Sequence, residues 1–200
     1  ALALEKAGRK AEAATAFAAI GGGSYFGGLA RDRQGSTGVR ATASVSGRRV
    51  ADYPVPYRSD LVREARKHRI DPRFLLAIMK QESSFRPGAK SPAGARGLLQ
   101  LVFDTAVKYN KKAGFPNLQP DDLYRPNVSI AVGSAYVAEL KDEFGGLYEA
   151  IAASYNGGED NAARWLNRSK PKEPGVFAAE VGFAETKNYV FKVMNNYRAY

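Results

Sequence analysis

Glu82 sits in the segment DPRFLLAIMKQES, where helical geometry gives a carboxyl group an apolar setting. With Leu75 at zero and about 100° per residue, Ile78 falls near −60°, Met79 near +40° and Glu82 near −20°. The carboxyl group therefore projects from the middle of the apolar stripe, at the C-terminal end of the helix. Desolvation and the negative end of the helix dipole both raise the pKa of such a group. A glutamic acid that keeps its proton near neutral pH can act as the general acid that breaks a glycosidic bond. The alternative is a helix that stops before Glu82, leaving it in solvent or paired with Arg86 or Arg96. Spacing nominates Glu82 without choosing between the two.

Other residues with chemical potential follow at intervals. SPAGARG brings small residues and two glycines together, so backbone can approach a ligand closely. It is no phosphate loop: no strand precedes it, and neither GxGxxG nor GxxxxGK[ST] occurs. Gly97 leads into LLQLVFDTA, an amphipathic segment with one amide, Gln100, among apolar residues. Sugar hydroxyl and acetamido groups, or nearby backbone, would satisfy that amide. SYNGG places Tyr155 and Asn156 at a helix end before two glycines, where a phenol can border a pocket or satisfy itself in the core. Trp165 reads as core. Phe183, Tyr189, Val190, Val193, Met194 and Tyr197 read as a packing stripe, with Glu185 near its start as a second carboxylate candidate.

The elements that must position these residues are helical. Asp71-Pro72 is an N-cap followed by proline at the first helical position, and Ser59 is a candidate cap for a helix reaching His68. Further helices are expected near 127–144, 147–154, 159–167 and 184–197, with a loop over 84–97. The absence of any sustained alternating pattern makes the chain mainly α. Residues 1–20 read as one alanine-rich helix ended by Gly21 to Gly23, and a second short helix follows over about 24–33. This gives three regions: a helical hairpin at 1–33, a Gly/Ser/Pro-rich linker at 34–56, and the main domain at 57–200.

Composition removes several chemistries. Without cysteine there is no disulfide, thiol nucleophile or Cys-ligated zinc, and a single histidine, His68, leaves little for a His-based metal site. No metal or cofactor is expected. The longest apolar run near the middle, Phe74 to Met79, is far too short to span a membrane. The net charge of +10 calls for an acidic partner. It is divided as +4 over residues 1–56 and +6 over 57–200, with no run of five like charges. A helix-turn-helix at 60–82 would offer only Arg73 and Lys80 on its second helix, so nucleic acid is not the expected partner.

Taken in order, QESSFRPGAKSPAGARGLLQL, NVSIAVGSAYVAEL, AASYNGG and VGFAETKNYV resemble the catalytic domain of soluble lytic transglycosylases, the goose-lysozyme-like branch of the lysozyme superfamily. The likeness covers about residues 53–200. The N-terminal pair with SYFGGLARDRQG resembles the end of the α-superhelical region that precedes this domain in large members.

The resemblance implies a lysozyme-like fold and a lyase of the bacterial cell envelope that acts in the periplasm, as a monomer, on peptidoglycan glycan strands. It implies that Glu82 is the sole acid and base. Ser91, Gln100, Tyr155, Asn156 and Glu185 match the family's cleft positions. Leu99 stands where the family has methionine, so sugar packing at Leu99 is expected to differ, and Val102-Phe103 replaces Met-Pro. The implied reaction closes a 1,6-anhydro ring on the muramoyl sugar without water. Two rivals remain at this level. A hydrolytic muramidase needs a second carboxylate, with Glu185 and Asp104 as candidates, and a basic wall-binding module needs no catalyst.

Overall fold

The computed structural model describes residues 1–21, 23–36 and 52–200, and the chain divides into two compact units, Ala1–Asp52 and Tyr53–Tyr200. The expected linker at 34–56 lies largely outside the described residues.

The first unit holds α1 (Leu2–Lys6), α2 (Lys10–Ala18) and α3 (Tyr25–Ser36). The single helix expected over 1–20 is broken at Gly8, whose φ is +74°. There the chain closes a C-terminal cap, with Arg9 N–H donating to the Leu4 carbonyl at 2.9 Å and Gly8 N–H to that of Glu5 at 3.1 Å. Glycine adopts this left-handed turn without the Cβ penalty, so the break costs less than continuing the helix through it. A small core of Ala13, Phe17 and Ala30 holds the three together, with Leu2, Leu4 and Ile20 packed against it.

The second unit is built from α4 (Arg58–His68), α5 (Pro72–Ser83), α6 (Phe103–Ala113), a 3-10 turn (Pro120–Tyr124), α7 (Pro126–Glu143), α8 (Tyr148–Gly157), α9 (Glu159–Arg168), α10 (Pro174–Glu180) and α11 (Ala184–Ala199). Helix α7 is the centre. Every residue from Val128 to Ala138 is buried, the signature of a helix enclosed on all sides. Helices α4, α6 and α8 pack on α7, while α5 and α8 pack on α11.

One expectation changes here, and one helix, α10, is additional to those expected. Ser59 lies inside α4, which starts at Arg58 after Tyr57 in a left-handed conformation, with no side-chain cap. Helix α10 is too short, at seven residues, to show a period, although Pro174 occupies its first turn. Among the described residues β structure is limited to two isolated bridges, Lys90 with Arg96 and Arg96 with Leu101.

Candidate active site

Helix α5 carries the site. Asp71 caps it, accepting from Arg73 N–H at 2.9 Å, and Phe74 to Met79 are all buried. The helix continues through Glu82 and stops only after Ser83, because Ser84 and Phe85 turn left-handed at φ +50° and +65°. The alternative of an early helix end does not hold. Nor does pairing with arginine: Arg86 Nε donates to the Ser83 carbonyl, and Arg96 reaches the Gly94 carbonyl and lies 3.9 Å from Asp121.

The partner of Glu82 is Tyr189, on the first half of α11. Its hydroxyl donates to Glu82 Oε1 at 2.5 Å. Burial pushes the Glu82 pKa from 4.5 up to about 7, and the Tyr189 hydrogen bond pulls it back part of the way. Among the described residues, the groups acting on Glu82 include no carboxylate. Both Glu185, in the first turn of α11, and Asp104, in that of α6, are exposed. Tyr189 and Tyr155 are themselves held protonated by burial, with the charge of Glu82 adding to the effect on each. Tyr155 therefore stands in the field of Glu82, while its hydroxyl donates to the Leu99 carbonyl at 2.6 Å.

The segment 84–101 forms one wall. Ser83 Oγ ties the end of α5 to it through the Leu98 carbonyl at 2.8 Å. Ser91 closes a turn, its Oγ accepting from Ala95 N–H at 3.1 Å. Gln100 is itself left-handed (φ +45°), and its amide nitrogen donates to the carbonyls of Ala89 and Gly97 at 3.0 and 2.9 Å. The amide thus satisfies its donor on nearby backbone, and among the described residues its Oε1 has no protein donor.

Leu99 is fully buried and packs its Cδ1 against Gly133 of α7. Its side chain belongs to the floor beneath the wall, so the expected sugar contact through Leu99 gives way to a role for its carbonyl. Leu99→Met should accordingly cost less than about 1.5 kcal/mol and leave activity unchanged, as melting and turnover assays would show.

Opposite, Asn156 is exposed and accepts from Thr186 Oγ1 at 2.7 Å. Thr186 and Tyr189 were absent from the sequence-derived site. The signal for Tyr189 was its hydroxyl: a tyrosine in an apolar stripe needs a buried partner, and Glu82 is the odd carboxyl on the other stripe. His68 stands apart on α4, next to Glu64 and desolvated towards its neutral form. A cationic groove lined by Arg58, Arg63, Arg66 and Lys67 of α4 likewise lies outside the Glu82 cluster.

The arrangement is one neutralisable carboxyl group, two protonated phenols and a wall of fixed backbone. Residues 61–177 match the model of the Transglycosylase SLT domain family. The chain is 33% identical over 144 residues to the soluble lytic murein transglycosylase of Salmonella typhimurium, covering 71% of this chain and 22% of that protein. It is 37% identical over 122 residues to a putative soluble lytic murein transglycosylase of Haemophilus influenzae, covering 60% and 21%. The chain thus spans about a fifth of the length of these relatives.

Among solved structures, an inactive mutant of the lytic transglycosylase Slt of Pseudomonas aeruginosa superposes with a TM-score of 0.71. It is 28% identical, over 86% of this chain and 30% of that one. The soluble lytic transglycosylase of Escherichia coli gives 0.69 at 26% identity, over 87% and 27%. These matches confirm the mainly α, lysozyme-like fold. By its sequence and its fold, this chain belongs to the SLT-domain transglycosylases.

Proposed function

We propose that the chain is a lytic transglycosylase that cleaves the bond between N-acetylmuramic acid and N-acetylglucosamine in peptidoglycan, with Glu82 as its only acid and base. The observation that carries this reading is the carboxyl group held near pKa 7 by burial, hydrogen-bonded to Tyr189 and without a second carboxylate acting on it. Protonated Glu82 gives its proton to the glycosidic oxygen as the C–O bond breaks, and the acetamido oxygen of the muramoyl sugar bonds to the anomeric carbon. The Glu82 carboxylate then takes the proton of the C6 hydroxyl, whose oxygen displaces the acetamido group and closes the 1,6-anhydro ring. The proton lent in the first step returns in the second, and water is not consumed. This is substrate assistance, one of the departures from the two-carboxylate scheme.

In this reading the free Oε1 of Gln100, the exposed amide of Asn156, the turn at Ser91 and exposed Glu185 face the glycan, while Tyr155 holds the Leu99 carbonyl in place. In this reading the enzyme works in the bacterial envelope, in the periplasm. No helix among the described residues is long and apolar enough to cross a membrane. The first unit is read as the tail of an α-superhelical region. Mass spectrometry of digested peptidoglycan tests the chemistry: 1,6-anhydromuramoyl ends are expected, and reducing ends would replace this reading with a hydrolytic muramidase.

Tyr189→Phe separates the carboxyl group from its regulator. Because the hydrogen bond lowers the Glu82 pKa, its loss should move the corresponding inflection in kcat/KM to higher pH. Turnover should fall about tenfold, the worth of one hydrogen bond to a charged group. An unmoved inflection would show that Tyr189 does not tune Glu82.

A further inference from the structure

Phe183 was expected inside the stripe of α11, yet it is 50% exposed, the most exposed large hydrophobic side chain among the described residues. It is the N-cap residue of α11 and stands edge-to-face on Trp165, with centroids 5.2 Å apart and planes at 89°. Trp165 is buried, and this perpendicular packing fixes the ring it supports. Two glycines keep the surroundings low. A Cβ at Gly182 would lie 3.0 Å from the indole Nε1, and one at Gly157 would lie 2.9 Å from Thr186 Oγ1 and 3.3 Å from the indole edge. Among the described residues the indole N–H has no hydrogen-bond acceptor, and its Nε1 edge faces Gly182, where no side chain covers it.

These features continue the site already described. Tyr189 touches Glu82; three residues earlier Thr186 holds Asn156; three residues earlier again comes Phe183. At 1.5 Å per residue, the step from Tyr189 to Phe183 is about 9 Å along α11, the scale of a disaccharide. A flat exposed ring beside a free N–H donor is what a pyranose needs: its C–H face stacks on the ring while a hydroxyl or acetamido oxygen accepts the N–H. Arg168, paired with Glu180 at 3.5 Å, forms the rim beside Gly182. An isolated exposed aromatic residue is ordinary on protein surfaces. Here ring, donor, glycines and the Asn156–Thr186 pair lie together.

We propose that Phe183 and Trp165 form a glycan platform about one disaccharide from the scissile bond, stacking a distal sugar on Phe183 and donating to it from the Trp165 indole. The inference rests on the reading of the chain as a peptidoglycan glycosidase. Trp165 is the only tryptophan, so its indole N–H gives one assignable resonance.

The experiment titrates the full chain carrying Glu82→Gln, which prevents turnover, with a peptide-free hexasaccharide of alternating N-acetylglucosamine and N-acetylmuramic acid. The indole resonance should shift and saturate. Phe183→Ala in the same background should weaken binding about five- to tenfold, a stacking contribution, and Phe183→Tyr should restore it. If resonances beside residue 82 shift while the indole stays still, or if Phe183→Ala binds like its parent, the platform is overturned and the Glu82 reading stands. If no resonance moves and the unsubstituted chain does not cleave peptidoglycan, both fall.

Discussion

Glu82→Gln should abolish turnover while making the protein more heat-resistant above pH 7. Loss of the titrating proton removes both steps assigned to the side chain, and a fall of at least about three orders of magnitude is expected. The stability gain follows from the same pKa shift, from 4.5 to about 7. Below pH 4.5 the carboxyl group is protonated in folded and unfolded chains alike, and its burial is not penalised by charge. Between pH 4.5 and 7 the unfolded chain ionises while the folded one retains its proton, so stability declines as pH rises. Above pH 7 both are ionised and the cost is complete, at most about 3 kcal/mol. Glutamine carries no such cost. Melting curves of the two proteins at pH 4 and pH 8 should therefore diverge only at the higher value. An equal difference at both would mean that burial is not what raises the pKa, and retained turnover would remove Glu82 as the acid.

The second large effect is expected in the backbone of the wall, at a residue with no side chain of its own. Gly97 has φ +78°, and a Cβ there would collide with the backbone carbonyl oxygen of Leu123. Its own carbonyl accepts the Gln100 side chain, and its N–H donates to Ala89. Gly97→Ala combines an unfavourable backbone region with overpacking against a rigid neighbour, about 3 kcal/mol together. For a chain of this size that is a drop of roughly 6–12 °C in Tm. Relief of the collision would displace Leu98 to Gln100, and with them the carbonyl that Tyr155 grips, so activity should fall although Glu82 is untouched. A melting temperature within about 2 °C of the parent would falsify this account.

What could be read from the sequence is local. Asp71-Pro72 and the periodicity of Phe74 to Met79 gave α5 and the inward direction of Glu82, since a helix repeats over a few residues. The identity of the partner could not be read in that way. Tyr189 satisfies an apolar stripe and a hydrogen bond equally well, and only tertiary packing, 107 residues away in the chain, shows that it does both. Leu99 misled for another reason. The left-handed turn at Gln100 is unusual for a residue other than glycine, and it sends Leu99 into α7 and its carbonyl towards Tyr155. Phe183 looked like core because it shares a stripe with Tyr189 and Val190, but as an N-cap residue it leaves the helical repeat before the core begins.

The distance in sequence between Tyr189 and Glu82 ties the acid to the completed fold. The hydrogen bond joins α5 to α11, and the Leu99 carbonyl is gripped from α8. Were α11 undocked, α5 would lose cover that buries Glu82, and the carboxyl group would return towards its ordinary pKa of 4.5. The proton that Glu82 keeps near pH 7 thus depends on α11 being packed against α5.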